Sequence, residues 1–125
     1  MTLVGGGLLS VDKGRFYMTD KRIVLTASGS EGEAVKIARH LVERGLAACV
    51  NIVPRVTSVY RWKDKVEEAQ EWLLIIKTTA SLFGQVRQAI ADLHSYELAE
   101  CICLTIEDGS PDYLQWIAES VSAEE

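Results

Sequence analysis

Residues 47–78 read AACVNIVPRVTSVYRWKDKVEEAQEWLLIIKT. Two runs rich in valine, isoleucine, threonine and aromatic residues flank a charged tip, Lys63-Asp64-Lys65. β-Branched and aromatic side chains favour pleated, half-buried backbone, so the stretch reads as one long β-hairpin. At roughly 3.3 Å per residue, a strand of about fifteen residues spans about 50 Å. A compact domain of this size has a radius of gyration of only about 13–14 Å. The hairpin must therefore bend or project. Pro54 cannot donate a ladder hydrogen bond, which marks a bulge or an edge position. A projecting hairpin has unpaired edges that another subunit can cover, and this predicts an oligomer.

Working outward, RIVLTAS (22–28) is a short β-branched run that ends in Ser28-Gly29, a strand followed by a turn. Ser30 and Glu33 have capping-box spacing. Ala34, Ile37, Ala38, Leu41 and Val42 then form one helical stripe, and Gly45 suits the left-handed residue that ends the helix. After the hairpin, Thr79 or Ser81 is expected to cap a second helix with the stripe Leu82, Val86, Ala89, Ile90 and Leu93. HSYELAE (94–100) connects it to a strand, CICLTIE (101–107). In that strand Ile102, Leu104 and Ile106 take one face, and Cys101, Cys103 and Thr105 take the other. Ser110-Pro111 opens a last short helix, whose inner face is Tyr113, Leu114, Ile117 and Val121. The order β-α-β-β-α-β-α predicts an α+β, ferredoxin-like βαββαβ sandwich with a long β-hairpin and an extra C-terminal helix. Both sandwich helices lie on one sheet face. The other face, expected to carry the neighbourhoods of Cys49 and Trp72 and the Cys101/Cys103 pair, is left for a partner.

Composition narrows the function classes. The chain has 125 residues, the size of a single domain, and is 48% hydrophobic and 25% charged, as soluble globular proteins are. Thirteen basic against eighteen acidic residues give a net charge of −5. Arg55, Arg61, Lys63 and Lys65 are followed at once by Glu67, Glu68 and Glu71, a mixed solvated hairpin tip rather than a nucleic-acid-binding stripe. Three cysteines, an odd number with no secretory segment before them, argue for a reducing cytoplasm rather than a disulfide framework. No apolar run is long enough to span a membrane. Residues 1–20 read as an N-terminal extension, either an upstream start assignment or a disordered tail, because regular patterning begins only after Met18; residues 21–122 read as the domain.

Few residues carry chemistry. His94, Glu97 and Glu100 recur at intervals of three and could converge in a bend after the second helix, a donor set that suits divalent transition metals. The competing reading is that His94 ends that helix, where its ring meets free carbonyls. Cys101 and Cys103 read as small buried apolar residues, as does Cys49, since a four-ligand zinc site needs a second pair. Tyr60, Trp62 and Trp72 are either hairpin packing or the walls of a ligand pocket. No nucleophile elbow, Walker A or dinucleotide fingerprint occurs.

ERGLAACVN entering the hairpin, the S-x-Y-x-W run of its first strand, the E-x-x-L-x-I-K-T return strand, HSYELAE and DYLQW together resemble the CutA family of divalent-cation tolerance proteins, from Arg22 to Ser120. The resemblance implies a PII-like subunit in a tight cytoplasmic homotrimer that binds divalent cations, copper foremost, and is not an enzyme. It implies His94, Cys49 and Glu97 as metal ligands. It also places Trp62, Glu71, Lys77, Tyr96 and Glu100 near an intersubunit cleft, with Tyr60 and Trp62 in the trimer interface. A PII-like sensor that binds a small anionic effector through Lys77 and backbone amides is the alternative. The chain departs from the family pattern at Ser95 and Ala99, where proline is usual, and at Thr26, where some members carry cysteine. Losing the prolines is expected to loosen the loop that holds His94 and Glu97.

Overall fold

A computed structural model of the protein describes residues 19–122. Most of the expected N-terminal extension therefore lies outside the described residues. Thr19 and Asp20 are built into the domain: Thr19 Oγ1 donates to the Ile106 carbonyl, and the Ala80 amide donates to the Asp20 carbonyl at 2.7 Å.

Four strands, β1 (Lys21–Ser28), β2 (Cys49–Trp62), β3 (Lys65–Thr79) and β4 (Ile102–Thr105), form one antiparallel sheet in the order β2-β3-β1-β4. Helices α1 (Glu31–Glu43) and α2 (Phe83–Leu93) connect β1 to β2 and β3 to β4, and α3 (Pro111–Ser120) packs on β3 and β1. This is the ferredoxin-like order with the extra C-terminal helix.

The hairpin does project. β3 pairs with β1 only from Trp72 to Thr79, so from Val56↔Glu71 to Trp62↔Lys65 it runs with β2 as a two-stranded ribbon. The expected irregularity at Pro54 sits where the ribbon leaves the sheet: the register shifts between Val53 and Val56, and Arg55 takes φ 58°. At the tip, Lys63 and Asp64 have φ 51° and 68°. Positive φ at both central residues of a two-residue loop is the geometry that matches strand twist.

The core lies between the sheet and α1 and α2. Val24, Leu74 and Ile76 from the strands meet Ile37, Leu41, Val86 and Ile90 from the helices. Four expectations need correction. Tyr113, expected on the inner face of α3, is exposed, and Ile117 is the buried residue of that helix. Val42 is exposed, because it lies at the edge of the α1 stripe, which buries Ala34, Ile37, Ala38 and Leu41. Neither Thr79 nor Ser81 caps α2; their hydroxyls bond each other at 3.2 Å, and a 3₁₀ turn, Ala80–Leu82, leads into the helix. The faces of β4 are reversed. Val24, a core residue, pairs with Cys103, so Cys103 and Cys101 pack toward the helices. Ile102 and Leu104, 48% and 46% exposed, lie on the open face.

Candidate functional site

Four elements meet at the C-terminal end of β1. β4 stops pairing with β1 at Leu25, so the edge of β1 is open beyond that point. His94, the C-cap of α2, fills the gap, its Nε2 lying 2.5 Å from the Ala27 carbonyl. Its Nδ1 lies 3.1 Å from the Tyr96 amide and 3.3 Å from Glu33 Oε2, and its side chain is 1% exposed. Tyr96 reaches from the connection to β3, where its hydroxyl donates to Glu71 Oε2 at 2.8 Å. The hydroxyl fits because residue 29 is glycine: a Cβ there would come within 2.7 Å of it.

The capping box of α1 is half formed, and its carboxylate is used elsewhere. Ser30 Oγ accepts from the Glu33 amide at 3.1 Å. Glu33, instead of returning to the Ser30 amide, accepts from Ser28 Oγ at 2.9 Å and faces His94. Burial is the largest influence on Glu33 and pushes its carboxyl up. Hydrogen bonds from the side chains of Ser95 and Ser28 and the backbone of Ser95, with the charge of His94, outweigh it and hold the group below the usual carboxylate range. Tyr96 is pushed up to about 12, first by burial and then by its hydrogen bond to Glu71 and the negative charge there.

Two features bear on chemistry. First, His94 Nδ1 serves two partners that need opposite protonation. Neutral, it accepts from the Tyr96 amide; protonated, it donates to Glu33 and the amide loses its acceptor. A cation at Nδ1 would displace the same amide. Second, Glu71 is 7% exposed, its one hydrogen-bonding partner among the described residues is Tyr96, and no described Lys or Arg pairs with it. A buried carboxylate with one donor has acceptor capacity to spare, at a cost that a cation or a further donor would offset.

The residues expected to share a metal do not converge within one subunit. Cys49 is opposite Lys77, which is opposite Ile23; the His94 ring is at Ala27, four residues along β1 and about 13 Å away at strand rise. Glu97 is exposed and lines a shallow cleft beside α2. The expected cleft set also divides. Tyr96 and Glu71 touch. Lys77 and Trp62 (the latter paired with Lys65) are each six residues from Glu71 along β3, about 20 Å in opposite directions. Lys77 Nζ donates to Asn51 Oδ1 and lies 3.9 Å from Cys49 Sγ. Glu100 is exposed, just before Cys101. Among the described residues no three His, Cys, Asp or Glu side chains are grouped as a metal site. Sequence reasoning missed Glu33 as a partner of His94 and Ser28 as a donor to Glu33. The local signal of Glu33, a serine cap three residues before it, is spent on reading the helix start.

Residues 22–120 match the family described as CutA1 divalent ion tolerance protein. The divalent-cation tolerance protein CutA of Thermus thermophilus is 45% identical over 100 residues, 80% of this chain and 97% of that protein. The mouse protein CutA is 48% identical over 96 residues, 74% of this chain but 54% of its own length, so the chain spans about half of its mammalian relatives. The solved structure of the Thermus protein superposes with a TM-score of 0.80 at 44% identity, covering 82% of this chain and 99% of that one. The structure of the Archaeoglobus fulgidus protein, described as a periplasmic divalent cation tolerance protein, gives 0.79 at 37% identity, covering 82% and 99%.

Proposed function

This chain belongs to the CutA1 family of divalent ion tolerance proteins, and from that premise we propose that it is a cytoplasmic homotrimer that binds divalent cations, copper foremost, and is a binding protein rather than an enzyme. The observation that carries the cation reading is Glu71, a buried carboxylate held by the single hydroxyl of Tyr96, whose ring lies 4.7 Å from that of His94, itself beside Glu33. Carboxylate and imidazole suit divalent first-row ions. In this reading His94 is the nitrogen ligand, which it becomes by releasing the Tyr96 amide, and Glu97 supplies a carboxylate from the rim. Cys49 joins the set only if it comes from a neighbouring subunit.

The trimer reading is supported by apolar surface that one subunit leaves open. Val59, Tyr60 and Val66 on the ribbon are exposed, Tyr60 to 42%, as are Ile102 and Leu104 on the sheet. Tyr60 and Trp62 are the hairpin residues we place in the interface. The described cysteines are free, in keeping with a reducing compartment. No helix among the described residues is long and apolar enough to cross a membrane.

The test is copper(II) calorimetry on wild type, Glu71→Gln and His94→Ala, after light scattering has shown a trimer mass for each. About one ion per subunit in wild type, lost in both variants, is the expected result. Unchanged binding in both variants removes this site from the reading, and a monomer mass removes the trimer.

A second reading rests on Lys77, whose ammonium is held by Asn51 and lies near Cys49, with no carboxylate partner among the described residues. An unneutralised lysine is suited to a small anionic effector of the kind a PII-like sensor takes. A metal-free thermal-shift screen with nucleotides separates the two readings: stabilisation lost in Lys77→Ala supports the sensor, and no shift with any nucleotide counts against it.

A further inference from the structure

We infer that Cys101 and Cys103 form a two-thiolate site for a soft monovalent cation of the Cu(I) and Ag(I) class, reached through the cleft beside α2. The site is separate from the carboxylate corner and does not depend on any divalent ion binding there.

Both thiols point to the same side of the sheet. Cys103 pairs with the core residue Val24, and Cys101 lies two positions earlier on the same face. Their Cα atoms are about 6.6 Å apart at strand rise. Two sulfurs on a linear ion are about 4.6 Å apart, twice a metal–sulfur bond of about 2.3 Å. Leaning the two Cβ–S bonds toward each other, within staggered rotamers, closes the remaining distance of about 2 Å. Cys101 also lines a cleft of about 300 Å³ with Arg87, Tyr96, Glu97 and Leu98, which gives an ion a path from solvent.

The surroundings favour a thiolate pair. Thr26 is fully buried, and its Oγ1 is the described buried side-chain oxygen without a hydrogen-bond partner. It shares the helix-facing side with Val24. Leu25↔Ile102 is the last pair of the β1–β4 ladder, so Thr26, just after Leu25, and Cys101, just before Ile102, are neighbours where the two strands part. A thiolate turned toward it gives the orphan hydroxyl an acceptor, as outer-shell donors do at metal sites. Burial pushes the Cys101 thiol up, while the Arg87 guanidinium acts in the opposite direction. Cu(I) binds thiolate, so loading the site displaces the thiol protons. The resulting bis-thiolate carries one negative charge, which faces Arg87 across the cleft mouth. Thiolates select soft ions over the harder divalent ones suited to Glu71 and His94.

The test uses the full chain under anaerobic conditions, with Cu(I) delivered from a chromophoric chelator and Ag(I) as a redox-inert probe. One Cu(I) per chain is expected, with sulfur-only coordination in X-ray absorption. Cys101→Ala and Cys103→Ala should each weaken binding by more than the about 10–100-fold that outer-shell partners are worth, and Thr26→Val by about tenfold. Cys103 packs against the core, so circular dichroism accompanies each variant; Cys101→Ala, at the cleft wall, is the deciding one. Unchanged Cu(I) affinity in folded Cys101→Ala, or nitrogen or oxygen ligands in the absorption spectrum, would overturn the assignment.

Discussion

Tyr96→Phe removes the hydroxyl that donates to Glu71 Oε2 and leaves the carboxylate, 7% exposed, without its one described partner. A hydrogen bond to a charged group contributes about 1.5–3 kcal/mol, and leaving the acceptor buried forfeits that amount. Tyr96 is itself 38% exposed, so water reaches the vacated position from one side. A loss of about 2 kcal/mol is therefore expected. With a urea slope of about 2 kcal/mol/M, the unfolding midpoint falls by about 1 M. The assay is urea unfolding at one fixed protein concentration, because the stability of an oligomer depends on concentration. Pairing the change with Glu71→Leu in a double-mutant cycle isolates the contact, since with no carboxylate to strand, Tyr96→Phe should cost little.

A second readout tests the same contact. Burial and Glu71 push Tyr96 up to about 12, so one of the four tyrosines ionises late in an absorbance titration, and the late phase is missing in Tyr96→Phe. The folded-state value lies above the ordinary value of about 10, so the stabilisation is complete below pH 10 and is lost as pH rises toward 12. A loss below about 0.5 kcal/mol, within the range of ordinary surface substitutions, together with an unchanged titration, would refute the reasoning.

Gly29→Ala places a Cβ 2.7 Å from the Tyr96 hydroxyl, so it should also break the Glu71 contact, and thermal unfolding should show it costing less in the Tyr96→Phe background than in wild type. Ser28→Ala removes a donor from Glu33; the folded-state carboxyl is held low, so the loss of about 1 kcal/mol expected at neutral pH should fade as pH falls below about 4, as urea unfolding at pH 7 and pH 3 would show. Asp64→Gly should raise the urea midpoint, because glycine accepts φ 68° in a two-residue hairpin loop without the roughly 1 kcal/mol strain of a side chain there. Thr26→Val removes the orphaned buried hydroxyl at nearly constant volume and should stabilise the metal-free protein by about 1 kcal/mol, measured by the same unfolding curves.

The elements were legible because their signals are local. The valine-rich runs, the charged tip, the Ser30 cap and Pro54 each constrain backbone within a few residues, and the structure has a strand, turn, cap or bulge at those places. The face of β4 was not legible. CICLTIE alternates cleanly but is apolar on both sides, so alternation gives the two faces without saying which is inside; pairing with Val24, far away in sequence, decides it. The site was partly legible for the same reason. Glu71 and Tyr96 could be singled out, but that they touch depends on the long return strand carrying Glu71 past the end of α2. Glu33 looked like the second half of a capping box, and nothing local shows that His94, sixty-one residues later, diverts it.

Ser95 shows how the same corner is held together without the usual proline. A proline would stiffen the connection by restricting the unfolded chain, by about 0.4–1 kcal/mol, but it has neither an N–H nor a hydroxyl to donate. Ser95 has both groups, and both act to lower the Glu33 carboxyl against its own burial. The segment also meets α1 through His94 Nδ1, 3.3 Å from the Glu33 carboxylate. The two ways of fastening the loop differ in one physical respect. A proline ring restrains it at every pH, whereas the Ser95 bonds weaken once Glu33 is protonated, and a cation that drew Glu33 away would compete for the same carboxylate. A proton or a cation at Glu33 is therefore expected to loosen the His94–Tyr96 segment, and faster hydrogen exchange of the Tyr96 amide is the measurement that would show it.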